Sequence, residues 1–243
     1  MTSLGIITAL NAEARSLTKR PIGKGELVQL PGGVLVQVSG VGAKWASLGA
    51  KTLLEKGAKA LLSWGSAGGL ISKLAPGSLI LPKTIIGADQ ALYYADAAWH
   101  KRLCSCLAGY IDLHEEPLAE STVVLTHSTG KATLFQQTGA IAVDMESAAV
   151  AAVAKEAGIP FMAVRAIADS VHMTIPKCAL TLSDELGRLN VSSLLKGLAK
   201  QPFDLFTLVR LGRSFLSAQK TLARVARLAG SNLLAPVPNG EQA

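Results

Sequence analysis

Residues Ala140 to Asp169 read AIAVDMESAAVAAVAKEAGIPFMAVRAIAD. An apolar run ends in two acids around a methionine, Asp144, Met145 and Glu146. An alanine-rich segment follows, stops at Gly158-Ile159-Pro160, and gives way to a second apolar run that ends at Asp169. Short, uninterrupted apolar runs bounded by turn residues are the pattern of strands buried on both faces, and the alanine-rich segment between them suits a helix. Asp144 is placed to cap that helix, and Gly158 to end it. Strand, helix and strand in this order predict that Glu146 and Asp169 emerge at neighbouring strand ends, where open α/β sheets bind ligands. A carboxylate at the mouth of an apolar strand loses hydration, so its presence asks for a reason other than folding.

The same alternation extends along the chain. Leu4 to Leu10 (LGIITAL) reads as a first strand, and Asn11 caps a helix over residues 12–19 with Glu13 in its first turn. An acid there either compensates the helix dipole or serves a site just past the strand end. Pro31-Gly32-Gly33 turns into a strand over residues 34–38, then Ser39 to Lys44 (SGVGAK) leads into a helix that runs to Glu55 and closes at Gly57. This resembles a dinucleotide-binding turn, but the third glycine of that motif falls at Trp45, and the next strand, residues 60–64, ends without an acid to hold a ribose. Tight strand-to-helix packing therefore explains these glycines.

The strand over residues 60–64 runs into Gly65-Ser66-Ala67-Gly68-Gly69, read as a turn that brings backbone N–H groups and a small hydroxyl to a ligand. Further expectations are extended segments between Ser78 and Ile86, a loop over 89–96, a helix over 99–110, a strand over 122–125 and a short helix ending near Gln137. Tyr93, Tyr94 and Trp99 either stack on a base or close the core. His127 reads as a lone surface histidine. After Asp169 the pattern loosens into a loop through Pro176, followed by helices over 178–186 and 191–199 and, past Pro202, a last helix from Asp204 to Ala229.

With 243 residues, of which 49% are apolar and 17% charged, the chain has ample core and is not disordered. The expected architecture is one α/β domain over residues 1–200, with a mostly parallel, mixed central sheet flanked by helices, and a basic C-terminal helical extension over 201–243. No uncharged apolar run reaches the ~18 residues that span a bilayer, and the acid in MTSLGIITALNAEAR comes too early for a signal peptide. A cytoplasmic location is expected. The three cysteines are odd in number and contain no Cys-x-x-Cys pair, and the four histidines lie far apart, so neither a disulfide, a metal nor another cofactor is expected.

The net charge of +7 suits nucleic acid, an anionic membrane surface or no specific partner, and its location decides. Lys196, Lys200, Arg210, Arg213, Lys220, Arg224 and Arg227 crowd the end of the chain. In the last helix Leu208, Leu211, Phe215, Ala218, Leu222 and Val225 share one arc, and Arg213, Lys220, Arg224 and Arg227 the opposite one. That separation suits a peripheral membrane contact or a helix packed on the domain, with no nucleic acid involved.

With these residues laid out, the chain resembles the nucleoside phosphorylase and nucleosidase family typified by methylthioadenosine/S-adenosylhomocysteine nucleosidase. The resemblance runs from Leu4 to Asp169 through GIITALNAE, VSGVGAKWASLGAKTLLE, WGSAGGL, AVDMESAAVA and PFMAVRAIAD, in the family's order. Within that family TGAIAVDMES, ALYYADAAW and the long basic C-terminal helix look most like the hopanoid-associated branch, thought to act on adenosylhopane.

The resemblance implies cleavage of an N-ribosidic bond, through an oxocarbenium-like transition state in which the leaving base must be protonated. It implies Asp169 as the acid at N7 of adenine, Glu146 as the acceptor for the ribose hydroxyls, Met145 against the sugar face, Glu13 on the attacking water and Ser66 beside it. Gly65 and Gly68 belong to the turn that closes on the ligand. Departures from the nucleosidase pattern are Asp144 in place of a glutamate, Ala168 in place of a serine, and no clear counterpart for the loop aromatic that stacks on adenine, a part left to Phe135. With Glu13 present and no arginine at the glycine turn, water is favoured over phosphate as nucleophile, although Lys44 or Arg165 can bring charge from elsewhere. The expected partner is a small nucleoside with a 5'-substituent, lipidic in the hopanoid reading, and the family implies a homo-oligomer. Methylthioadenosine or S-adenosylhomocysteine as substrate, and a nucleoside-binding protein without catalysis, are the alternatives.

Overall fold

The strand that begins at Ala60 is the axis of the sheet. In the computed structural model, which describes residues 4–175, 204–230, 233 and 235–236, the elements along the chain are β1 (Leu4–Thr8), α1 (Asn11–Ala14), β2 (Leu27–Leu30), β3 (Val34–Val38), α2 (Ala43–Glu55), β4 (Ala60–Gly69), β5 (Leu79–Ile80), β6 (Thr84–Ile86), β7 (Leu92–Tyr94), α3 (Ala97–Leu107), β8 (Leu113–His114), β9 (Leu118–Glu120), α4 (Ser128–Thr138), β10 (Ala142–Asp144), α5 (Ser147–Glu156), β11 (Phe161–Asp169) and α6 (Asp204–Ala229). On one edge β4 pairs first with β1, up to Ser63, and then with β10 at Gly68 and Gly69. On the other edge β11 accompanies it from Leu61 to Gly68. The remaining strands extend the eleven-stranded sheet outward as β1-β3-β2, β10-β9-β6-β7 and β11-β5-β8.

Six of the pairings are parallel, β1/β3, β1/β4, β11/β4, β10/β9, β6/β9 and β5/β8, so the sheet is mixed and mostly parallel as the alternation of strands and helices predicts. One apolar cluster lies under α3 and α6 and includes Trp64, Trp99, Val164, Leu222 and Val225. The other lies under α2 and α5 and includes Ile7, Leu53, Ala151 and Phe161. The central strands are buried on both faces, which is why their sequence is mostly apolar without alternating, with Gln37 on β3 and Arg165 on β11 as buried polar exceptions.

Four local expectations are corrected. Glu146 and Asp169 do not follow neighbouring strands, because β10 and β11 both pair with β4 and lie on opposite sides of it. Residues 65–69 are not a turn but the second half of β4. Residues 92–94, expected in a loop, form β7 and pair antiparallel with β6 through a tight turn in which Gln90 has φ +66°. The pairing to β6, a tertiary effect, supplies what local propensity does not. Residues 122–125 are not a strand; β9 comes earlier, at Leu118–Glu120.

Helix boundaries also differ. The helix expected over 12–19 ends at Ala14 and continues as turns, with Leu17 N and Thr18 N donating to Ala14 O. The one expected over 99–110 spans Ala97–Leu107, capped by the Asp96 carboxylate accepting from Trp99 N at 2.7 Å. Trp99 closes the core, fully buried with its indole N–H donating to Leu233 O at 2.8 Å. The helices expected over 178–186 and 191–199 lie outside the described residues.

The C-terminal helix resolves one of the two readings of its apolar arc. Ala218, Leu222 and Val225 are buried against the domain, and Ser217 and Thr221 donate to Pro76 O and Gly77 O at 3.1 and 2.8 Å. From Ser214 onward the arc is therefore packing surface. Arg213, Lys220, Arg224 and Arg227 face solvent, and so do Phe206, Val209 and Leu216 nearer the start of the helix. No described helix is long and apolar enough to cross a membrane.

Candidate active site

Where β1 ends on one edge of β4 and β10 has not yet begun, the backbone of β4 lacks a ladder partner. Glu13 fills that place. Its Oε1 accepts from Ser66 N at 2.8 Å and from Ser66 Oγ at 2.7 Å, and its Oε2 accepts from Ala9 N and Leu10 N at 3.1 Å each. The carboxylate is thus fixed by four donors, two just past the end of β1 and two on Ser66 within β4, and Glu13 is 2% exposed. Gly65 makes room for it: a Cβ there would lie 2.7 Å from Glu13 Oε1 and would also strike the Arg165 guanidinium. The glycine run of β4 is therefore explained by side chains crossing over it, and no turn is needed.

Arg165 comes up from β11 into the same region and is 1% exposed. Its Nε lies 2.6 Å from Asp144 Oδ2 and its Nη2 lies 3.7 Å from Glu146 Oε2. Nη2 also donates to Ser63 Oγ at 2.6 Å and Ser147 Oγ at 3.1 Å. Burial works against the guanidinium charge, but Asp144, Glu146 and Glu13 outweigh it and hold its pKa above the ordinary value. Asp144 at the end of β10 also accepts from Ser147 N, the first residue of α5, at 3.3 Å, although the cap position itself falls at Glu146 and not at Asp144 as expected. Glu146 Oε1 accepts from Gly42 N at 2.9 Å, which ties the acid to the start of α2. Burial pushes the Glu146 carboxyl up, while Arg165 pulls it down.

Asp169 ends β11 beside Gly68, where a Cβ would come within 3.2 Å of its Oδ1. Its Oδ2 is paired with the ammonium of Lys131 from α4, and that ammonium also donates to Ser170 O at 2.8 Å. Burial raises the Asp169 carboxyl, Lys131 opposes, and the balance stays above the ordinary value.

These groups surround one pocket. Glu13, Ser66, Gly68, Asp144, Met145, Glu146 and Asp169 all line it, joined by Lys131 and by an apolar wall that includes Leu10, Val41, Val123, Val124, Leu125, Val143, Ala168 and Ile175. Gly65 lies beneath Glu13 and Arg165 and does not line the wall. Phe135 does not line it either; it stands half-exposed on α4. Nothing in the sequence marks Lys131, because α4 has no apolar periodicity and the lysine is one polar residue among many. It is nevertheless the helix's one buried side chain. Arg165 was legible as a charge, but not as the partner of two acids.

Glu120, at the end of β9, is a further buried acid. It accepts from Ala149 N at 3.1 Å, and burial, with Asp144 adding, pushes it up to about 7. A folded-state value above the unfolded one means that the stabilising, protonated state is lost as pH rises from about 4.5 to about 7. Glu120→Gln keeps the acceptor and removes the titration. It is expected to raise the melting temperature at pH 8 and leave it nearly unchanged at pH 4; equal effects at the two pH values would contradict this assignment.

Among the described residues one group has metal-ligand spacing, His100, Cys104 and Glu115, and it lies outside the pocket. Its ligand atoms are already engaged: His100 Nε2 lies 2.8 Å from Leu81 O and Glu115 pairs with Lys83 at 2.7 Å. Burial also pushes the Cys104 thiol up to about 11, away from the thiolate that binds metal.

The pocket therefore offers a paired acid at one strand end, a fixed carboxylate at another, and a third acid braced by a buried guanidinium, all around an apolar wall. Residues 14–192 match the model of the phosphorylase superfamily. Among solved structures, the fold is similar to S-adenosylhomocysteine nucleosidase from Streptococcus pyogenes in complex with 5-methylthiotubericidin, at 19% identity over 96% of this chain and 97% of that one, with a TM-score of 0.69. It is similar to 5'-methylthioadenosine/S-adenosylhomocysteine nucleosidase from Neisseria meningitidis in complex with methylthio-immucillin-A, at 18% identity over 96% and 99% of the two chains, with a TM-score of 0.68. It is also similar to futalosine hydrolase of Helicobacter pylori, at 20% identity over 93% and 97%, with a TM-score of 0.66. Because the family model covers most of its length, the chain belongs to the phosphorylase superfamily and is an enzyme of that family.

Proposed function

We propose that the protein hydrolyses the N-ribosidic bond of an adenosine-type nucleoside and releases adenine. The observation that carries this reading is that Glu13, Glu146 and Asp169, distant in sequence, line a single pocket. As the C1'–N9 bond breaks, its electron pair moves onto the base and positive charge grows on the sugar. Asp169 serves N7 with a proton, a role worth roughly 10²- to 10⁴-fold in rate. Glu146 accepts from the ribose hydroxyls and lies close enough to favour the sugar's positive charge, with Met145 against the ring. Glu13 takes a proton from the water whose oxygen bonds to C1', and Ser66 holds that carboxylate in place.

Water is favoured over phosphate because Arg165, the buried guanidinium beside the pocket, is committed to Asp144 and Glu146, Lys131 in the pocket wall is committed to Asp169, and a phosphate dianion would meet the carboxylates of Glu13, Asp144 and Glu146. For the 5'-group we propose the hopane chain of adenosylhopane, giving ribosylhopane in hopanoid biosynthesis. Support comes from the pocket's apolar rim, where Val41, Val123 and Val124 stand exposed at 47%, 61% and 41%. The half-exposed basic and apolar start of α6 suits a peripheral membrane contact for the same substrate. Methylthioadenosine or S-adenosylhomocysteine is the alternative substrate.

The deciding experiment is chromatographic detection of free adenine, with and without phosphate, from adenosines carrying short polar or long apolar 5'-substituents. Adenine release without phosphate, with the higher kcat/KM on the long apolar substituent, is the expected result. Preference for the short ones favours the alternative, and nucleoside binding without any release of base favours a non-catalytic binding protein. Sedimentation with anionic vesicles, lost when Arg213, Lys220, Arg224 and Arg227 are all changed to Glu, is expected of the membrane contact; no sedimentation removes it.

A further inference from the structure

We propose that the proton leaving with the base comes from Lys131 and passes through Asp169, so that the leaving-group acid is the pair and not the carboxyl alone. This rests on the N-ribosidic reading above and deepens it.

Lys131 has an unusual position for its type. It is 1% exposed on a helix whose other side chains are exposed or, like Leu134, only partly buried, and its ammonium donates to Asp169 and to Ser170 O, facing the pocket. A buried ion pair is a poor way to hold a surface helix, since an apolar residue of the same size generally does as well or better. The pair also conflicts with a lone-acid mechanism. A carboxyl that must carry a proton to N7 is disfavoured in its protonated form by an ammonium against it. The conflict disappears if the proton rests on nitrogen and crosses only when the base needs it.

The step balances. As the C1'–N9 pair moves into the purine, Asp169 gives a proton to N7 and takes one from Lys131, leaving a neutral amine, a carboxylate and a neutral N7-protonated base. Water loses a proton to Glu13 as its oxygen bonds to C1', and solvent exchange returns protons to Lys131 after the base departs. Burial favours the first transfer, because Lys131 and Asp169 pass from an ion pair to a neutral amine and a neutral carboxyl, and that carboxyl returns to carboxylate as it gives its proton to N7.

Among the described residues the charged groups around the pair are few. From α4 comes Lys131 itself, β4 offers only the uncharged Gly68, and across the pocket stand Glu13 from α1 and Asp144 and Glu146 at and just past the end of β10, with Arg165 behind them. His127 and His172, on the adjoining loops, do not line the pocket.

The test is the pH dependence of kcat/KM for base release in Lys131→Met, Lys131→Arg and Lys131→Ala, with melting temperature recorded for each. If Lys131 acts only as a charge, its removal lifts the Asp169 carboxyl further. Lys131→Met then holds its proton to higher pH and equals or exceeds the wild type at pH 7.5, and Lys131→Arg matches the wild type. Under the proposal Lys131→Met falls about 10²-fold at pH 7.5 and recovers as pH drops and solvent protonates Asp169. Lys131→Arg falls as far, because guanidinium does not surrender its proton. Lys131→Ala is partly restored by propylamine and not by guanidinium. Wild-type turnover by Lys131→Arg overturns the proposal, as does loss in all three variants with recovery by neither acid nor amine. Absence of base release by the wild type itself would instead sink the N-ribosidic reading.

Discussion

Asp169→Asn lowers kcat/KM for base release by about 10²- to 10⁴-fold across the pH range, with nucleoside binding kept within about tenfold. Asn has the shape of Asp, and its amide oxygen still accepts from Lys131, so the end of β11 keeps its position beside Gly68. What it lacks is a transferable proton. The amide can donate a hydrogen bond to N7 but cannot neutralise the charge that arrives there when C1'–N9 breaks, and Lys131 is left without an anion. The variant also loses some stability, since an ammonium that is 1% exposed now faces a neutral partner. Binding of an uncleaved adenosine analogue, measured by calorimetry beside the activity, separates chemistry from misfolding. Near-normal turnover would remove Asp169 from the reaction, and weakened binding in proportion to the rate would make it a binding residue only.

The sequence carried the fold through its buried strands, whose mostly apolar runs at residues 34–38, 60–64 and 161–169, each with a polar residue inside it, leave little choice of state. It misled at Gly65 to Gly69, because a glycine run is ambiguous between a turn and a strand crossed at close range. What removes the ambiguity is Arg165 and Glu13 lying over Gly65, a contact between residues at opposite ends of the domain. Short edge strands such as residues 92–94 exist only because a partner strand is there, so no local pattern announces them.

The site divides in the same way. Glu13, Asp144, Glu146 and Asp169 were legible because acids stand out at the ends of apolar runs. Lys131 was not, because a lysine on a polar helix is ordinary until the helix is known to turn that one side chain inward. Phe135 is an aromatic ring of the segment that stands for the adenine-stacking loop, but α4 turns it away from the pocket and leaves it half in solvent. Local sequence marks where charge is out of place, and only the folded chain tells which opposite charge answers it.

That last relation is tested most severely at Arg165. Arg165→Met keeps most of the side-chain volume but leaves Asp144 and Glu146, 5% and 6% exposed, without their counter-charge. Breaking a buried pair from one side typically costs about 3–5 kcal/mol, which for a chain of this size lowers the melting temperature by roughly 6–20 °C. The loss should depend on pH. Without the guanidinium the downward pull of Arg165 on Glu146 is gone and burial raises that carboxyl further, so its protonated form is the stable one. Its contribution is complete below the unfolded carboxylate range and disappears as pH rises through the folded value. The deficit against wild type is therefore larger at pH 8 than at pH 5. Arg165→Lys, one charge without the fork that spans Asp144, Ser63 and Ser147, should fall between the two. Melting curves of the three proteins at both pH values decide the matter. A pH-independent deficit would mean that Arg165 matters for its packing. A deficit that shrinks on acidification would mean that this cation is what favours the charged form of Glu146 beside the pocket, the form that the proposed contact with the ribose hydroxyls requires.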